Sequence, residues 1–273
     1  MDELIDYKYC ERGKDRLNDR SHSHGNCYEI VQVISGDGVF TVNNKIFPLM
    51  GGVVYLINGI SLHCSNPRHP SEYIRNKIVI SARIIDKAAE ALECKELTDT
   101  LFGSHEGCPI QLEEEKFSQI DEKMKRIGEA LGSDKNLERI HTVMGVLDIC
   151  LSLRYCKSET VVPVGGVLAD VLDYINEHIG DKLTLDLIGR QVNLNKFYLC
   201  HLFRQTTGMT VSEYILERRL SAAKRKLLLT EMSVSEIAMS TGFGSFSYFS
   251  RVFREKEGLC PSEFRKRRRY RME

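Results

Sequence analysis

Residues 199–211 read LCHLFRQTTGMTV, and residues 249–261 read FSRVFREKEGLCP, so one pattern recurs 50 positions later in the chain. Phe203 of the first copy matches Phe253 of the second, and in both copies a glycine follows five residues later. A repeated segment indicates one supersecondary unit that is used twice. Because apolar residues in each copy have helical spacing and a glycine follows, the sequence predicts two similar short helices near this end of the chain.

A second predicted helix precedes each of these helices, separated from it by a short turn. In the first pair we expect Thr184 and then Asn195 to cap the two helices, and in the second pair Ser233 and then Ser245. An apolar-striped segment, Val211–Leu229, is predicted to form the long helix between the pairs. Two helices joined by a tight turn can place the second helix in the major groove of DNA, although such pairs also occur as plain packing units.

The second helix of each pair has a face that its apolar residues do not occupy. We expect this face to contact bases, since Arg recognises guanine edges and polar or apolar side chains distinguish the other bases. The predicted DNA-binding residues are Lys196, Phe197, Cys200, His201, Arg204, Phe246, Ser247, Ser250, Arg251 and Arg254.

Charge is unevenly distributed along the chain of 273 residues, although 38 Lys and Arg balance 38 Asp and Glu. Residues 196–273 carry 16 basic and 8 acidic residues, whereas residues 1–195 carry 22 and 30. This asymmetry indicates a polyanionic partner for the C-terminal part only. With the duplicated helix pairs, it favours double-stranded DNA as that partner.

A longer run within residues 167–270 resembles the C-terminal domain of AraC/XylS-type transcription regulators. The matching features are Arg219-Leu220-x-x-Ala223, Ile237-Ala238, Gly242-Phe243, Tyr248-Phe249-Ser250-Arg251-x-Phe253 and Gly258-x-x-Pro261-x-x-Phe264-Arg265. The first unit departs from the family pattern at Ile188, Asn193 and His201, where Ala, Gly and Arg are usual. The resemblance implies an all-α domain with two helix-turn-helix units, a homodimer, contact with RNA polymerase, and activation of transcription.

The rest of the sequence predicts a β-rich region, then helices, then a linker. Residues 27–64 alternate short apolar runs with Gly and Asn turns, which is typical of a small barrel or sandwich, and residues 73–85 predict one more β segment. Helical periodicity follows over residues 113–131 and 135–156. Residues 157–166 lose that periodicity and contain a proline and a Gly pair, as expected of a linker.

These patterns predict a two-domain α+β protein. Residues 1–156 would form a cupin-like β-barrel with following helices, for effector binding and dimerisation. Residues 157–166 would link it to the all-α DNA-binding domain of residues 167–273. The family resemblance assigns dimerisation to the helices after the barrel, and the candidate stripe is Ile140, Val143, Met144, Leu147 and Leu151; packing against the barrel of the same chain is the alternative.

Three histidines and a carboxylate form the second group of candidate site residues. His22 and His24 are separated by a single residue, so on a strand their side chains would lie on the same face. Glu29 and His63, later in the sequence, complete the group. The spacing resembles the first cupin motif, and that around His63 resembles the second more loosely. Three interpretations remain open: direct binding of a small polar effector, binding of Zn, Fe, Ni or Mn, or polar residues satisfied by the backbone. The family resemblance favours a sugar or glycoside as effector.

The sequence also bears on the class and location of the protein. None of the nine cysteines forms a C-x-x-C pair, and neither a signal peptide nor an apolar run of about 18 residues is evident, so we expect a cytoplasmic protein without a membrane segment. We expect a regulator and no catalytic residues. The alternative is a metal-dependent cupin enzyme with an accessory helical domain.

Overall fold

The structure is a computed structural model that describes residues 4–13, 21–103, 107–155 and 159–272. The backbone divides into two compact units, and the chain passes from the first to the second at Gly165 and Gly166. Among the helices in these ranges, none is both long and apolar enough to cross a membrane.

The first unit contains two antiparallel sheets. Its strands are β1 (Leu4–Arg12), β2 (Cys27–Ser35), β3 (Asp37–Val42), β4 (Lys45–Met50), β5 (Val53–Asn58), β6 (His63–Pro67), β7 (Ile74–Ser81), β8 (Cys108–Gln111) and β9 (Glu159–Thr160). The larger sheet has the order β1-β7-β2-β5-β8-β9, and the smaller has the order β4-β3-β6.

Strand β2 shows how the sheet divides two apolar cores. Successive side chains of a strand point to opposite faces. Tyr28 and Ile30 therefore pack into a core that includes the helices of this unit, whereas Val31 and Val33 pack into a core with residues of the smaller sheet. Glu29 lies between Tyr28 and Ile30 in the strand, so its side chain is on the opposite face of the sheet from theirs and on the same face as Val31.

The described strands do not form a closed barrel, which corrects the predicted architecture: their hydrogen bonds build two separate sheets. The chain leaves the larger sheet and enters the smaller one at Gly36, which has a φ of 140°. A Cβ here would lie 3.0 Å from Leu49 and 3.1 Å from Tyr73, so glycine allows both the backbone conformation and the close packing. Strands β3, β4 and β6 then pair with one another instead of extending the larger sheet.

Four α-helices pack on the larger sheet, α1 (Ala82–Ala91), α2 (Lys95–Phe102), α3 (Glu114–Ala130) and α4 (Lys135–Arg154), and a short 3-10 helix spans Pro70–Glu72. The last two α-helices match the predicted helical segments. The predicted β segment over residues 73–85 is wrong at its end, because β7 stops at Ser81. Ala82, Ile85 and Ala89 are buried at helical spacing on one face of α1.

The second unit is helical throughout its described elements. They are α5 (Val167–Glu177), α6 (Leu185–Gln191), α7 (Lys196–Thr207), α8 (Val211–Leu229), α9 (Val234–Ser240), α10 (Phe246–Glu257) and α11 (Pro261–Met272). The long helix α8 has the predicted bounds. Its N-terminus carries a capping box in which Thr210 and Glu213 satisfy each other's backbone N–H groups.

The pairs α6–α7 and α9–α10 repeat one local design. Thr184 and Ser233 cap the first helix of each pair, as predicted. The turns then contain a residue with positive φ, Asn193 at 54° in one pair and Gly242 at 83° in the other. Asparagine tolerates this conformation better than other side chains do, so the replacement of the usual glycine preserves the turn.

The cap positions correct one detail of the family comparison. Ile188 and Ile237 both lie four residues after the cap, so Ile188 does not occupy the position of the usual small residue. That position belongs to Gly189, where a Cβ would lie 2.6 Å from the carbonyl oxygen of Leu194. The small residue is needed because the turn backbone passes close to the first helix.

Candidate functional site

The outward face of α7 bears the five predicted residues of the first pair. Lys196, Phe197, His201 and Arg204 are exposed, and Cys200 is half-buried. Phe197 has 78% of its surface exposed. The Lys196 ammonium lies 5.7 Å from the centre of the Phe197 ring. An aromatic side chain so exposed on a basic helix is available for contact with a partner.

The equivalent face of α10 carries two arginines. Phe246, Ser247, Arg251 and Arg254 are exposed and Ser250 is half-buried, and together with Glu255 these side chains line a shallow open depression. The Arg251 guanidinium carbon lies 5.6 Å from the centre of the Tyr248 ring, within the range of a cation–π contact.

Buried aromatic and aliphatic side chains fix the orientation of both faces. Leu199 and Phe203 of α7 are fully buried, as are Phe249 and Phe253 of α10. The helix starts are fixed too: the Asn195 side chain accepts a hydrogen bond from the Tyr198 N–H at 2.9 Å, and Ser245 accepts one from the Tyr248 N–H at 3.2 Å. These helices therefore present their polar faces on a rigid support.

The repeat contains a signal that the sequence analysis missed. Tyr198 and Tyr248 occupy equivalent positions in the two helices, and they are 51% and 43% exposed. Their recurrence at the repeat spacing of 50 residues was sufficient to add them to the candidate surface.

The four site residues predicted in the first unit lie together. One nitrogen from each of His22, His24 and His63 and a carboxylate oxygen of Glu29 all lie within 4.8 Å of one another. Glu29 Oε2 is 2.7 Å from His63 Nε2 and 3.0 Å from His24 Nε2. Glu29 and His63 are each only 2% exposed, whereas His22 and His24 are half-buried. We name these four residues the histidine cluster.

Backbone hydrogen bonds hold the histidine cluster in place. His22 and His63 exchange two backbone hydrogen bonds of 3.0 Å each, and the His24 N–H donates to the Gly59 carbonyl at 2.7 Å. Glu29 lies in the middle of the larger sheet, opposite Ile57 of β5 and Val79 of β7. The segment before β2, β2 itself and the start of β6 thus each supply part of the cluster.

The electrostatics of the cluster couple its buried members. Burial alone raises the pKa of the Glu29 carboxyl, but His63 and His24 outweigh this effect and hold that pKa well below its usual range. Burial lowers the pKa of His63, whereas the Glu29 carboxylate and the Ser61 carbonyl together raise it above its ordinary value. A buried carboxylate therefore has its charge compensated by imidazole groups or by a cation that they hold.

The donor set fits a transition-metal ion. Three imidazole nitrogens and one carboxylate oxygen are ligands that zinc, iron, nickel and copper accept. Nε2 of His24, Nε2 of His63 and Oε2 of Glu29 are buried and form no hydrogen bond of normal geometry in spite of their short separations. Direct contact with a polar small molecule is the second chemistry that such atoms allow.

Comparison with known proteins places the helix pairs in a family. A helix-turn-helix domain family matches residues 188–267. The regulatory protein SoxS of Escherichia coli K12 is 38% identical over 101 residues, which cover 37% of this chain and 94% of that protein.

Two longer relatives align with both units. The arabinose operon regulatory protein of Salmonella typhimurium is 27% identical over 87% of this chain and 83% of its own length. The Msm operon regulatory protein of Streptococcus mutans is 27% identical over 91% of this chain and 88% of its own length. Because the match to SoxS is 38% identical and spans nearly all of that regulator, the chain belongs to the AraC family of transcription regulators.

Proposed function

We propose that the chain is a cytoplasmic, ligand-responsive transcription regulator that binds double-stranded DNA sequence-specifically. Residues 167–273 would bind DNA through two helix-turn-helix units, and residues 1–156 would bind an effector and mediate dimerisation. The predicted linker, residues 157–166, instead belongs largely to the first unit, because Glu159–Thr160 forms strand β9 and the first unit extends to Gly165. The observation that supports this proposal most directly is the repeat: α7 and α10 have caps at equivalent positions, Asn195 and Ser245, and equivalent buried and exposed faces.

The two DNA-contacting faces would make unequal contributions. On α10, Arg251 and Arg254 provide guanidinium groups that recognise guanine bidentately or bind phosphate. On α7, His201 replaces the equivalent of Arg251, and Phe197 is an apolar group suited to a thymine methyl. We therefore expect a bipartite operator whose two halves differ in base composition.

The proposed effector is a small polar molecule, a carbohydrate in the first instance. Support comes from the polar histidine cluster between the two sheets and from the alignment with the arabinose operon regulatory protein over both units. The effector would act by changing the relative populations of DNA-binding conformations, with activation through RNA polymerase as the outcome.

A dimer contact through α4 accounts for an exposed apolar stripe. Of the five predicted stripe residues, Leu147 is buried and Val143 is half-buried against the core of the first unit, whereas Ile140, Met144 and Leu151 are 52%, 65% and 49% exposed. Leu137 continues the stripe toward the helix start and is 52% exposed. The helix therefore has one face for its own unit and another for a second copy of the chain.

The enzyme alternative is supported only by the histidine cluster, and the paired helices have no role in it. We infer a non-enzymatic role for the cluster. Turnover of a small substrate by the full chain, abolished by a Glu29→Gln substitution, would support the metal-dependent cupin enzyme instead.

The experiment that tests the proposed function is selection of bound sequences from a random DNA pool with the full chain. We expect a recurrent bipartite sequence, bound with an affinity that falls steeply with salt because lysines and arginines displace counterions from phosphates. Recovery of no recurrent sequence would contradict sequence-specific binding. A thermal-shift screen of sugars tests the effector, because a ligand that binds the folded form raises Tm.

A further inference from the structure

We propose that Arg219 is a positioning residue that fixes the first helix pair relative to the second and thereby sets the spacing between the two operator halves. This role rests on the proposed function and deepens it, because it concerns the distance and angle between the recognition helices α7 and α10 rather than the bases that they contact.

Arg219 lies near the middle of α8 and donates hydrogen bonds to two backbone carbonyls outside its own helix. Its Nε donates to the Ile179 carbonyl at 3.0 Å, and one terminal nitrogen donates to the Asp181 carbonyl at 2.6 Å. Both acceptors belong to the segment after α5, and Thr184, the cap of α6, follows Asp181 by three residues. The guanidinium group therefore holds the backbone that leads into the first helix pair.

The turn of the second helix pair lies against the same guanidinium group. A Cβ on Gly242 would lie 2.6 Å from Arg219 Nε and 2.5 Å from the Ile179 carbonyl oxygen. The backbone also approaches closely beside this point, since a Cβ on Gly180 would lie 3.2 Å from the Ser240 carbonyl oxygen. Helix α8, the segment before α6 and the turn between α9 and α10 thus meet at one place. We name this place the Arg219 junction.

Apolar contacts attach each helix pair to α8 separately. The Phe203 ring of α7 packs edge to face on the Tyr214 ring of α8, with centres 5.2 Å apart. Further along, α8 shares a core with α9 and α10 through Leu220, Ala223 and Leu227. Apolar burial is non-directional, whereas hydrogen bonds weaken steeply when they bend. The Arg219 junction therefore restricts rotation between the pairs in a way that apolar packing does not.

The chemistry of the junction is specific to arginine. The planar guanidinium group holds its N–H donors in a fixed fork, which here reaches two carbonyls of one segment. Burial lowers the pKa of Arg219, and the Tyr248 side chain opposes this effect. The guanidinium group remains charged in proteins, and hydrogen bonds from a charged donor are the stronger kind. Lysine would keep the charge but lose the fork.

The geometry of DNA makes this junction a determinant of specificity. Major grooves that face one side of the duplex are about 34–36 Å apart, or about 10–10.5 base pairs. One base pair inserted between the operator halves therefore displaces one half by about 3.4 Å and rotates it by about 34°. Two rigidly joined recognition helices cannot follow that change, whereas helices that rotate relative to each other recover part of the lost contact. Arg219 should therefore decide how strictly the spacing is measured.

The first test measures the distance between the recognition helices in the full chain without DNA. Nitroxide labels replace Arg204 and Arg254, which are exposed and equivalent in the repeat. The labels are attached through non-native amino acids because the chain has nine cysteines, and labelled protein is diluted with unlabelled chain so that a dimer adds no second distance. Double electron–electron resonance should give one narrow distribution for Arg219 and one about twofold broader for Arg219→Gln, because the directional restraint is lost.

Arg225→Gln is the matched control, because Arg225 is an exposed arginine of α8 six residues further along the helix. Its distance distribution should equal that of the parent chain. Arg219→Lys should give an intermediate width, and it provides the comparison if Arg219→Gln does not fold. Circular dichroism and Tm check the folding of every variant.

The second test uses the selected DNA sequence with one base pair inserted or deleted between its halves. This change should weaken wild-type binding at least about tenfold, because one recognition helix loses its base contacts. For Arg219→Gln the same change should weaken binding by about threefold or less, with the base preference within each half unchanged. A residue that only stabilised the unit would lower Tm without altering the spacing preference.

An equally narrow distance distribution in Arg219→Gln, or equal broadening in Arg225→Gln, would overturn the proposal. So would a spacing penalty in Arg219→Gln as large as that of the wild type. Recovery of no recurrent DNA sequence would contradict the proposed function instead, and the distance measurement would still decide whether Arg219 fixes the two helix pairs. The two proposals can therefore fail separately.

Discussion

Substitution of Arg251 tests the assignment of α10 as a base-contacting helix. Arg251 is exposed in the first half of α10, the part of a recognition helix that reaches base edges. Its guanidinium is oriented over the Tyr248 ring at 5.6 Å before any DNA is present. We expect it to make a bidentate contact with guanine, and Arg251→Ala to remove that contact.

The expected magnitude follows from the chemistry of that contact. A bidentate pair is worth about 1–3 kcal/mol of discrimination, which corresponds to an increase in Kd of about 5- to 150-fold for the preferred sequence. The Tyr248 contact contributes little to this figure, because it exists in the free protein as well. Binding to unrelated sequences should change much less than binding to the preferred one.

Arg254 provides an internal comparison, since it lies almost one turn further along the same exposed face. If it contacts phosphate, Arg254→Ala should weaken binding to all sequences alike and reduce the slope of log K against log salt by about 0.9. Lys256→Ala is the matched control on the same helix. The Lys256 ammonium instead contacts Glu217 of α8 at 2.5 Å, so removal of this charge should leave base preference unchanged.

The assay is fluorescence anisotropy with the full chain, the selected sequence and its single-base variants, at several salt concentrations. Arg251→Ala should flatten the preference at one guanine position and leave the others intact. A uniform loss of affinity, or an unaltered preference at every position, would refute the assigned role of Arg251.

Three further predictions concern α7, α8 and α4. Replacing thymine by deoxyuridine at the position that Phe197 contacts should weaken DNA binding by the wild type about fourfold, because the contact with one buried methyl group is lost. DNA binding by Phe197→Ala should not change. Equal effects on both proteins would exclude this contact. Thr210→Ala should lower the free energy of unfolding of the second unit by about 1 kcal/mol in chemical denaturation, whereas Thr210→Ser, which preserves the cap, should not. Met144→Glu should shift the sedimentation of the full chain from dimer toward monomer. Leu92→Glu, which alters another exposed apolar residue, should not have this effect. If Met144→Glu remains a dimer, the dimer contact lies elsewhere.

The helical half of the fold was largely predictable from sequence. Helix α8 has the predicted bounds, and the caps Thr184, Ser233 and Ser245 lie where expected. These features depend on local interactions: a side chain bonds an N–H group three residues away, and apolar residues recur every three or four positions. Such rules do not require knowledge of distant residues.

The β-rich half was less predictable, because strand pairing joins residues far apart in sequence. The edge strand β1 was not predicted, and neither was the pairing of β8 and β9. Closure of a barrel depends on which strands meet across the sheets, and local patterns contain little information about it. The start of α1 was also missed, because Ala82 and Ile85 are compatible with both a strand and a helix.

The candidate sites divide in the same way. The exposed residues of α7 and α10 could be assigned from the repeat and helical periodicity, but the orientation of Arg251 over Tyr248 required the structure. For the histidine cluster, the residue types and spacing identified the members. Only the structure brought His63 to Glu29, 34 positions away in sequence, at 2.7 Å.

Sequence by itself determined the family, the two helix pairs and the identity of the candidate ligands, because each depends on residue type and short-range spacing. Tertiary structure decided that the sheets stay separate, that α4 has an exposed apolar stripe, and that three imidazoles and a carboxylate converge in a buried site. Convergence of that kind comes from antiparallel pairing of β2 with β5 and β7 and from the His22–His63 bridge. Long-range backbone hydrogen bonds and the burial of apolar side chains select this arrangement, and neither is visible in a local stretch of sequence.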